Sequence, residues 1–269
     1  MDSILITGVS SGIGLGLAEM FLSKGYKVFG SVRNIQNCKK LSEKYGVNFI
    51  PLIFDIQHHS EIDIAEQRIK EILGKEKLSA IINNIGYAEF GPLLHVPTSI
   101  MKKHFNILVL GQLYIIQKFF PYLLSSTKSE PSRIINISSI SGVNAYKFAG
   151  CYVTCKHAFE GMSKTLRIEL KQYGIKVIVI APGNIITPIW DKQIVENPSI
   201  YNNTDYFSEF SCHINSIKNF VSQTAMTVEE FLNAFYKIFQ KKNPAERYTI
   251  IKQNNKLLAR IKPVRVVKG

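Results

Sequence analysis

Tyr152 and Lys156 stand four residues apart in the segment Tyr152-Val153-Thr154-Cys155-Lys156. On a helix that spacing places both side chains on one face. A free phenol titrates about 3 units above neutral pH and is a poor base by itself. A neighbouring ammonium favours the phenolate. Such a pair can take a proton from a hydroxyl, or give one to an alkoxide developing at a carbonyl. Taken alone it is weak evidence, because helical Tyr/Lys pairs commonly decorate surfaces. It gains weight from its company, a glycine loop at the start of the chain.

That loop reads Thr7-Gly8-Val9-Ser10-Ser11-Gly12-Ile13-Gly14, a GxxxGxG spacing directly between an apolar run and an amphipathic segment. Glycines there permit a tight turn and a close backbone approach to a pyrophosphate, whose charge is stabilised by free N–H groups and the positive end of the helix dipole. The second apolar run ends at Ser31-Val32-Arg33-Asn34 and lacks the carboxylate that would grip both adenosine ribose hydroxyls. Arg33 instead offers a guanidinium able to chelate a 2′-phosphate. The expected dinucleotide is therefore NADP (NADPH), with NAD possible; the competing reading leaves Arg33 as a surface cation.

The elements that position these residues alternate. Short β-branched runs at 3–7, 27–32, 48–54, 78–83, 133–138, 176–181 and 247–251 are separated by longer helix-like segments. This is the pattern of an α/β fold whose parallel sheet is covered on both faces. Ile13, Leu17, Met20 and Phe21 form one stripe of a first helix, with Gly25 placed to close it. Further helices are expected over about 151–172, stopping at Gly174, and 227–240. A single domain is expected over 1–269, with an insertion over about 190–226 and a basic tail over about 252–269.

Composition excludes unusual classes. The chain has 269 residues, 46% hydrophobic and 20% charged, as in globular proteins. The start, Met1-Asp2-Ser3-Ile4-Leu5-Ile6, lacks a basic leader, and the apolar stretch 105–124 carries Gln112, Gln117, Lys118 and Pro121. We therefore expect a cytoplasmic protein and a buried helix there. Cys38, Cys151, Cys155 and Cys212 show no CxxC spacing, and no metal site is expected. Of the +13 formal charge, much lies after residue 240, where nine Lys/Arg face Glu246 alone. Contact of this tail with a membrane surface is a minor alternative to simple solvation. No nucleic-acid partner is expected, since no recognised binding motif is present.

Over roughly residues 3–190 these motifs, in this order, resemble the short-chain dehydrogenase/reductase family. Thr7–Gly14 resembles its TGxxxGxG loop, Asn83-Asn84-Ile85-Gly86 its NNAG, Tyr152–Lys156 its YxxxK, and Pro182-Gly183 with Thr187 its PGxxxT. Ile85 departs from the usual alanine without removing a reactive group. The resemblance implies a Rossmann-type, doubly wound, mostly parallel seven-stranded sheet with helices on both faces. It implies a catalytic set of Asn106, Ser139, Tyr152 and Lys156. Lys156 would also hold the nicotinamide ribose, Ser139 would orient the substrate oxygen, and Asn106 would hold a relay water. The family's thirteen-residue separation from serine to tyrosine selects Ser139 over Ser138.

The implied cofactor contacts are Gly8, Ser10, Ser11, Gly12, Ile13, Gly14, Arg33, Asp55, Ile56, Asn83, Gly86, Tyr152, Lys156, Pro182, Gly183 and Thr187. For Asp55 an adenine contact competes with helix capping. The chain is similar to the hydroxysteroid and retinol branch, which implies a lipophilic alcohol or carbonyl substrate and a homodimer or homotetramer. Phe90, Leu93, Leu94, Val143, Tyr146, Phe148, Ile189, Trp190, Ile194, Tyr201, Tyr206, Phe207 and Phe210 are candidates for an apolar pocket or for plain core. The alternative function is a non-catalytic NADP-binding regulator of the same fold.

Overall fold

The computed structural model describes residues 2–124, 131–190, 198–253 and 256–260. In chain order the main elements are β1 (Ser3–Ile6), α1 (Gly12–Ser23), β2 (Lys27–Val32), α2 (Lys39–Tyr45), β3 (Phe49–Ile53), α3 (His59–Leu73), β4 (Leu78–Asn83) and α4 (Thr98–Phe105). There follow α5 (Gly111–Phe119), β5 (Arg133–Ile137), α6 (Gly150–Glu169), β6 (Lys176–Pro182), α7 (Phe207–Thr224), α8 (Val228–Phe239), β7 (Arg247–Gln253) and β8 (Lys256–Arg260).

The strands form one sheet in the order β3-β2-β1-β4-β5-β6-β7-β8. All seven expected strands are present and pair in parallel. β8 adds an antiparallel edge to β7. It falls within the segment read from sequence as a basic tail, because a short run bounded by Lys256 and Arg260 carries no buried-strand signature, and edge strands tolerate such charges. The tail residues 261–269 lie outside the described residues.

Period-two alternation sends Ile4 and Ile6 to one face of the sheet and Leu5 to the other. The first face packs on Leu17 and Phe21 of α1 and on Phe231, Phe235 and Ile238 of α8. The second packs on Ile62 and Ile69 of α3, Ile115 and Phe119 of α5, and Cys155 of α6. Burial on both faces is why Val177 to Ala181 can be continuously apolar.

The stretch expected as one buried helix over 105–124 is interrupted. A π-turn at Asn106–Leu110 joins α4 to α5, and a 3-10 turn follows at Phe120–Leu123. Likewise α6 ends at Glu169, with a 3-10 turn to Tyr173 closed by Gly174 at φ +73. α8 starts with a capping box: Thr227 accepts from the Glu230 N–H, and the Glu230 carboxylate accepts from the Thr227 N–H. Among the described residues no helix is long and apolar enough to cross a membrane.

Candidate active site

β1 lies between β2 and β4, so the chain reverses its direction of progress across the sheet at this strand. The carboxyl ends of β1 and β4 therefore open a crevice of the kind in which α/β sheets bind ligands. Three loops meet there. A Cβ on Gly8 would lie 3.0 Å from the Ile85 side chain, one on Gly12 3.2 Å from Thr187, and one on Gly86 3.4 Å from Ile189. The glycine loop, the Asn83–Gly86 segment and the segment after Pro182 are thus packed together.

Gly8 and Gly12 have φ values of +73 and +56, which favour glycine. At Gly14 the constraint is space, since a Cβ would sit 2.0 Å from the Gly8 carbonyl oxygen. Ser11, the N-cap of α1, makes no side-chain cap, and the first turn carries no acid. That end of the helix is suited to an anion. Gly14→Ala should push α1 off the loop, at a cost of about 1–3 kcal/mol or more. We expect a lower Tm and loss of dinucleotide binding by calorimetry; unchanged binding would contradict this account of the cradle.

Several braces of the crevice escaped the sequence reading of roles. Ser31 Oγ accepts from the Gly8 N–H at 2.9 Å. Thr7 Oγ1 accepts from the N–H groups of Asn84 and Ile85, while the Asn84 amide donates to the carbonyls of Thr7 and Gly8. The buried Gln112 amide donates to Ile85 O at 3.0 Å. The doubled asparagine was the available signal, but which of the two turns toward the loop depends on strand register. Asn83 turns the other way: it is 1% exposed and donates to Asn136 Oδ1 at 2.9 Å. Its side chain is therefore not presented to the crevice.

Arg33 is exposed immediately beyond β2. Asp55 Oδ1 accepts from the Gln57 N–H at 2.9 Å, a local turn-capping role, and Ile56 beside it is buried. Ser10, Ser11 and Ile13 are at least partly exposed on the loop, as are Gly183 and Thr187, while Pro182 is buried at the end of β6.

Tyr152 and Lys156 lie on the first turns of α6, and Ser139 follows β5. Burial pushes the phenol up to about 12, opposed by the nearby Ser139 hydroxyl, which favours the phenolate. Lys156 is 3% exposed, and its Nζ donates to Ile137 O at 2.9 Å. Burial brings the ammonium down to about 8, against the pull of Glu160. Lys156 Nζ lies 5.6 Å from the Tyr152 ring centroid. The lysine expected to favour the phenolate thus sits against the ring and the strand carbonyl, and desolvation dominates the phenol. Asn106 begins the π-turn and is exposed; among the described residues no hydrogen bond joins it to Lys156. Ser138 is buried, with its Oγ unpartnered among the described residues.

A cavity of about 370 Å³ adjoins the first turn of α6, lined by Leu93, Leu94, Tyr146, Phe148, Val153 and Tyr206 among others. Phe148 holds φ +62, a conformation rarely adopted outside glycine, and its carbonyl accepts from the Gly91 N–H at 2.8 Å. Phe148, Tyr201, Phe210 and Ile214 form a separate buried cluster, so part of the expected pocket is core. Ile194 lies outside the described residues.

The sequence profile of the family described as short chain dehydrogenase matches residues 2–197. The chain belongs to this family: it is an oxidoreductase acting on CH–OH or carbonyl groups, and it uses NAD(P). It is 36% identical over 253 residues to an NADPH-dependent 3-dehydrocapnine reductase of Ornithobacterium rhinotracheale, covering 93% of this chain and 88% of that one. It is 29% identical over 263 residues to the probable short-chain type dehydrogenase/reductase VdlC of Helicobacter pylori, covering 95% and 86%.

Among solved structures, a short-chain dehydrogenase from Streptomyces avermitilis superposes with a TM-score of 0.75 at 20% identity, over 92% of this chain and 87% of that one. An alcohol dehydrogenase from Thermococcus sibiricus gives 0.75 at 17% identity, over 93% and 96%. At these identities the structures speak to the fold.

Proposed function

We propose that this protein is an NADPH-dependent reductase of a lipophilic carbonyl compound, with Tyr152 as the proton donor. The observation that carries this is the pairing of Tyr152 and Lys156 on one face of α6, with Lys156 Nζ 5.6 Å from the Tyr152 ring centroid; burial keeps the phenol protonated at neutral pH, the form a donor needs. The name of the Ornithobacterium relative, an NADPH-dependent reductase, supports the same direction and cofactor.

The residues present fit a dinucleotide. Gly14 leaves room for nothing larger beside Gly8, and the uncapped start of α1 can hold the pyrophosphate with the N–H groups near Ser10, Ser11, Gly12 and Ile13. Arg33 is free to meet a 2′-phosphate. When bound, the reduced nicotinamide supplies the hydride. Tyr152 Oη gives its proton to the oxygen of the carbonyl being reduced, while Ser139 Oγ donates a hydrogen bond to that oxygen and stabilises its developing charge. Lys156 spends one of its three N–H donors on Ile137 O and keeps two for the nicotinamide ribose and the proton path. Asn106 holds the water at the outer end of that path.

The apolar cavity beside α6 supports a lipophilic substrate. We also read the chain as a subunit of a homodimer or homotetramer, for which the exposed Leu94, Leu110 and Ile168 supply apolar surface.

The test is a screen of lipophilic ketones and alcohols with NADPH or NADP, followed by absorbance of the reduced nicotinamide. Oxidation of NADPH by a ketone is expected. A protein that binds NADPH and turns over nothing would favour the regulatory alternative. Arg33→Ala should weaken NADPH binding by about 1.5–3 kcal/mol, the scale of a charge-assisted contact, and leave NADH unchanged. Equal losses for both cofactors in a calorimetric titration would refute the Arg33 contact.

A further inference from the structure

Three polar side chains of α6 face the sheet in one stripe. Lys156, Glu160 and Ser163 fall at i, i+4 and i+7, and none is more than 3% exposed. Lys156 is held by Ile137 O, and Ser163 Oγ accepts from Asn136 Nδ2 at 2.8 Å. Glu160 meets a partner 87 residues away: Arg247 Nε of β7 donates to its two oxygens at 2.9 and 3.1 Å. Arg247, 8% exposed, also donates from Nη1 to Thr249 Oγ1 at 2.5 Å.

Stability does not account for this pair. Desolvation of two buried charges consumes most of their attraction, and apolar replacement of both partners is often neutral or favourable. The geometry shows a different consequence. A Cβ on Gly142 would lie 2.7 Å from Glu160 Cγ, 2.8 Å from its Oε1 and 2.9 Å from Ser138 Oγ, so this turn is packed directly against the Glu160 side chain with room for glycine alone. The same turn carries Ser139: the Gly142 N–H donates to Ser139 O at 3.0 Å, and the Ser141 N–H donates to Ser139 Oγ at 3.1 Å. On the helix side, Lys156 is one turn above Glu160 and Tyr152 two turns above.

We propose that the Glu160–Arg247 ion pair is a positioning element for the reaction, seating the Ser139 turn against the face of α6 that carries Tyr152 and Lys156. The inference rests on the roles given to Ser139 and Tyr152 under Proposed function. Neither member of the pair touches the reacting atoms.

The test is the double variant Glu160→Met/Arg247→Met, which removes the pair without leaving a lone buried charge, compared with Arg247→Lys. Misplacement of a reacting group by about 1 Å can cost up to about 10²-fold in rate. In the double variant kcat should therefore fall about 10- to 100-fold, while KM, the NADPH Kd and Tm stay close to wild type. Arg247→Lys, which keeps the charge, should recover most of the loss. A folded double variant with wild-type kcat overturns the proposal. So does a loss in which the NADPH Kd rises and Tm falls together with kcat, since that marks a purely structural pair.

If the double variant does not fold, Gly142→Ala presses on the carboxylate from the loop side and should give the same kcat-selective loss; wild-type kcat there also overturns it. The ¹³Cζ resonance of Tyr152 in tyrosine-labelled protein, assigned with Tyr152→Phe, should move in the double variant. That signal needs no turnover. A wild-type protein that reduces no carbonyl would sink the proposed function and leave this readout standing, whereas an unmoved resonance counts against the positioning role alone.

Discussion

Tyr152→Phe is expected to lower kcat by about 10²- to 10⁴-fold, the usual contribution of a general acid, while the NADPH Kd stays within about twofold of wild type. The substitution keeps the ring and removes only the hydroxyl. The ring packs with the cluster between the sheet and α5/α6, so its loss would create a cavity, whereas the phenylalanine preserves that packing. Removing the hydroxyl deletes the proton donor without touching the glycine loop. Steady-state kinetics on a substrate from the screen, with NADPH affinity from fluorescence, check this. Near wild-type turnover would show that the proton comes from elsewhere.

Lys156→Met should do more damage, because the ammonium has two tasks. A hydrogen bond to a charged donor is worth about 1.5–3 kcal/mol, so loss of the ribose contact should weaken NADPH about 10- to 100-fold. Turnover should fall as well. The two variants therefore separate: Tyr152→Phe loses rate alone, and Lys156→Met loses rate and cofactor together. Lys156→Met with intact NADPH affinity would remove the ribose role.

Lys156 also makes stability depend on pH in a definite direction. Burial holds its folded value at about 8, below the ordinary value of about 10.5. Between those values the unfolded lysine binds more protons, so its contribution to the stability of the cofactor-free protein rises as pH increases from about 8 toward 10. Below about 8 both states are charged and the full penalty applies. The buried Cys38, Cys151 and Cys155 thiols, pushed up by burial, add a slope of opposite sign, so urea unfolding at several pH values should show the lysine's slope as the difference between wild type and Lys156→Met. Keeping the comparison below pH 10 avoids the tyrosines, whose ordinary titration begins about there.

How legible the molecule was from its residues depended on how local the physics is. The parallel strands could be read because each is buried on both faces and must be apolar along its length, as in Lys176-Val-Ile-Val-Ile-Ala-Pro182. β8 could not, since an edge strand needs no such pattern. The glycine loop was legible because Gly8 and Gly12 answer to backbone conformation and Gly14 to a contact six residues away. The four-residue step from Tyr152 to Lys156 set a shared helix face for the same reason.

What the residues by themselves determined, then, was everything carried by periodicity and near-neighbour sterics: the alternation of strands and helices, the cradle, the Tyr152–Lys156 face and the family these define. Tertiary structure alone decided the partners. It turned Asn83 into the sheet and Asn84 onto the loop, gave the Asp55 carboxylate to Gln57, and set Lys156 on Ile137 O rather than on the phenol oxygen. It also joined Glu160 to Arg247 across 87 residues. A sequence pattern states which face a side chain occupies; the atom it meets there depends on the register of strands distant in the chain, and only burial and hydrogen-bond satisfaction across the whole fold select it.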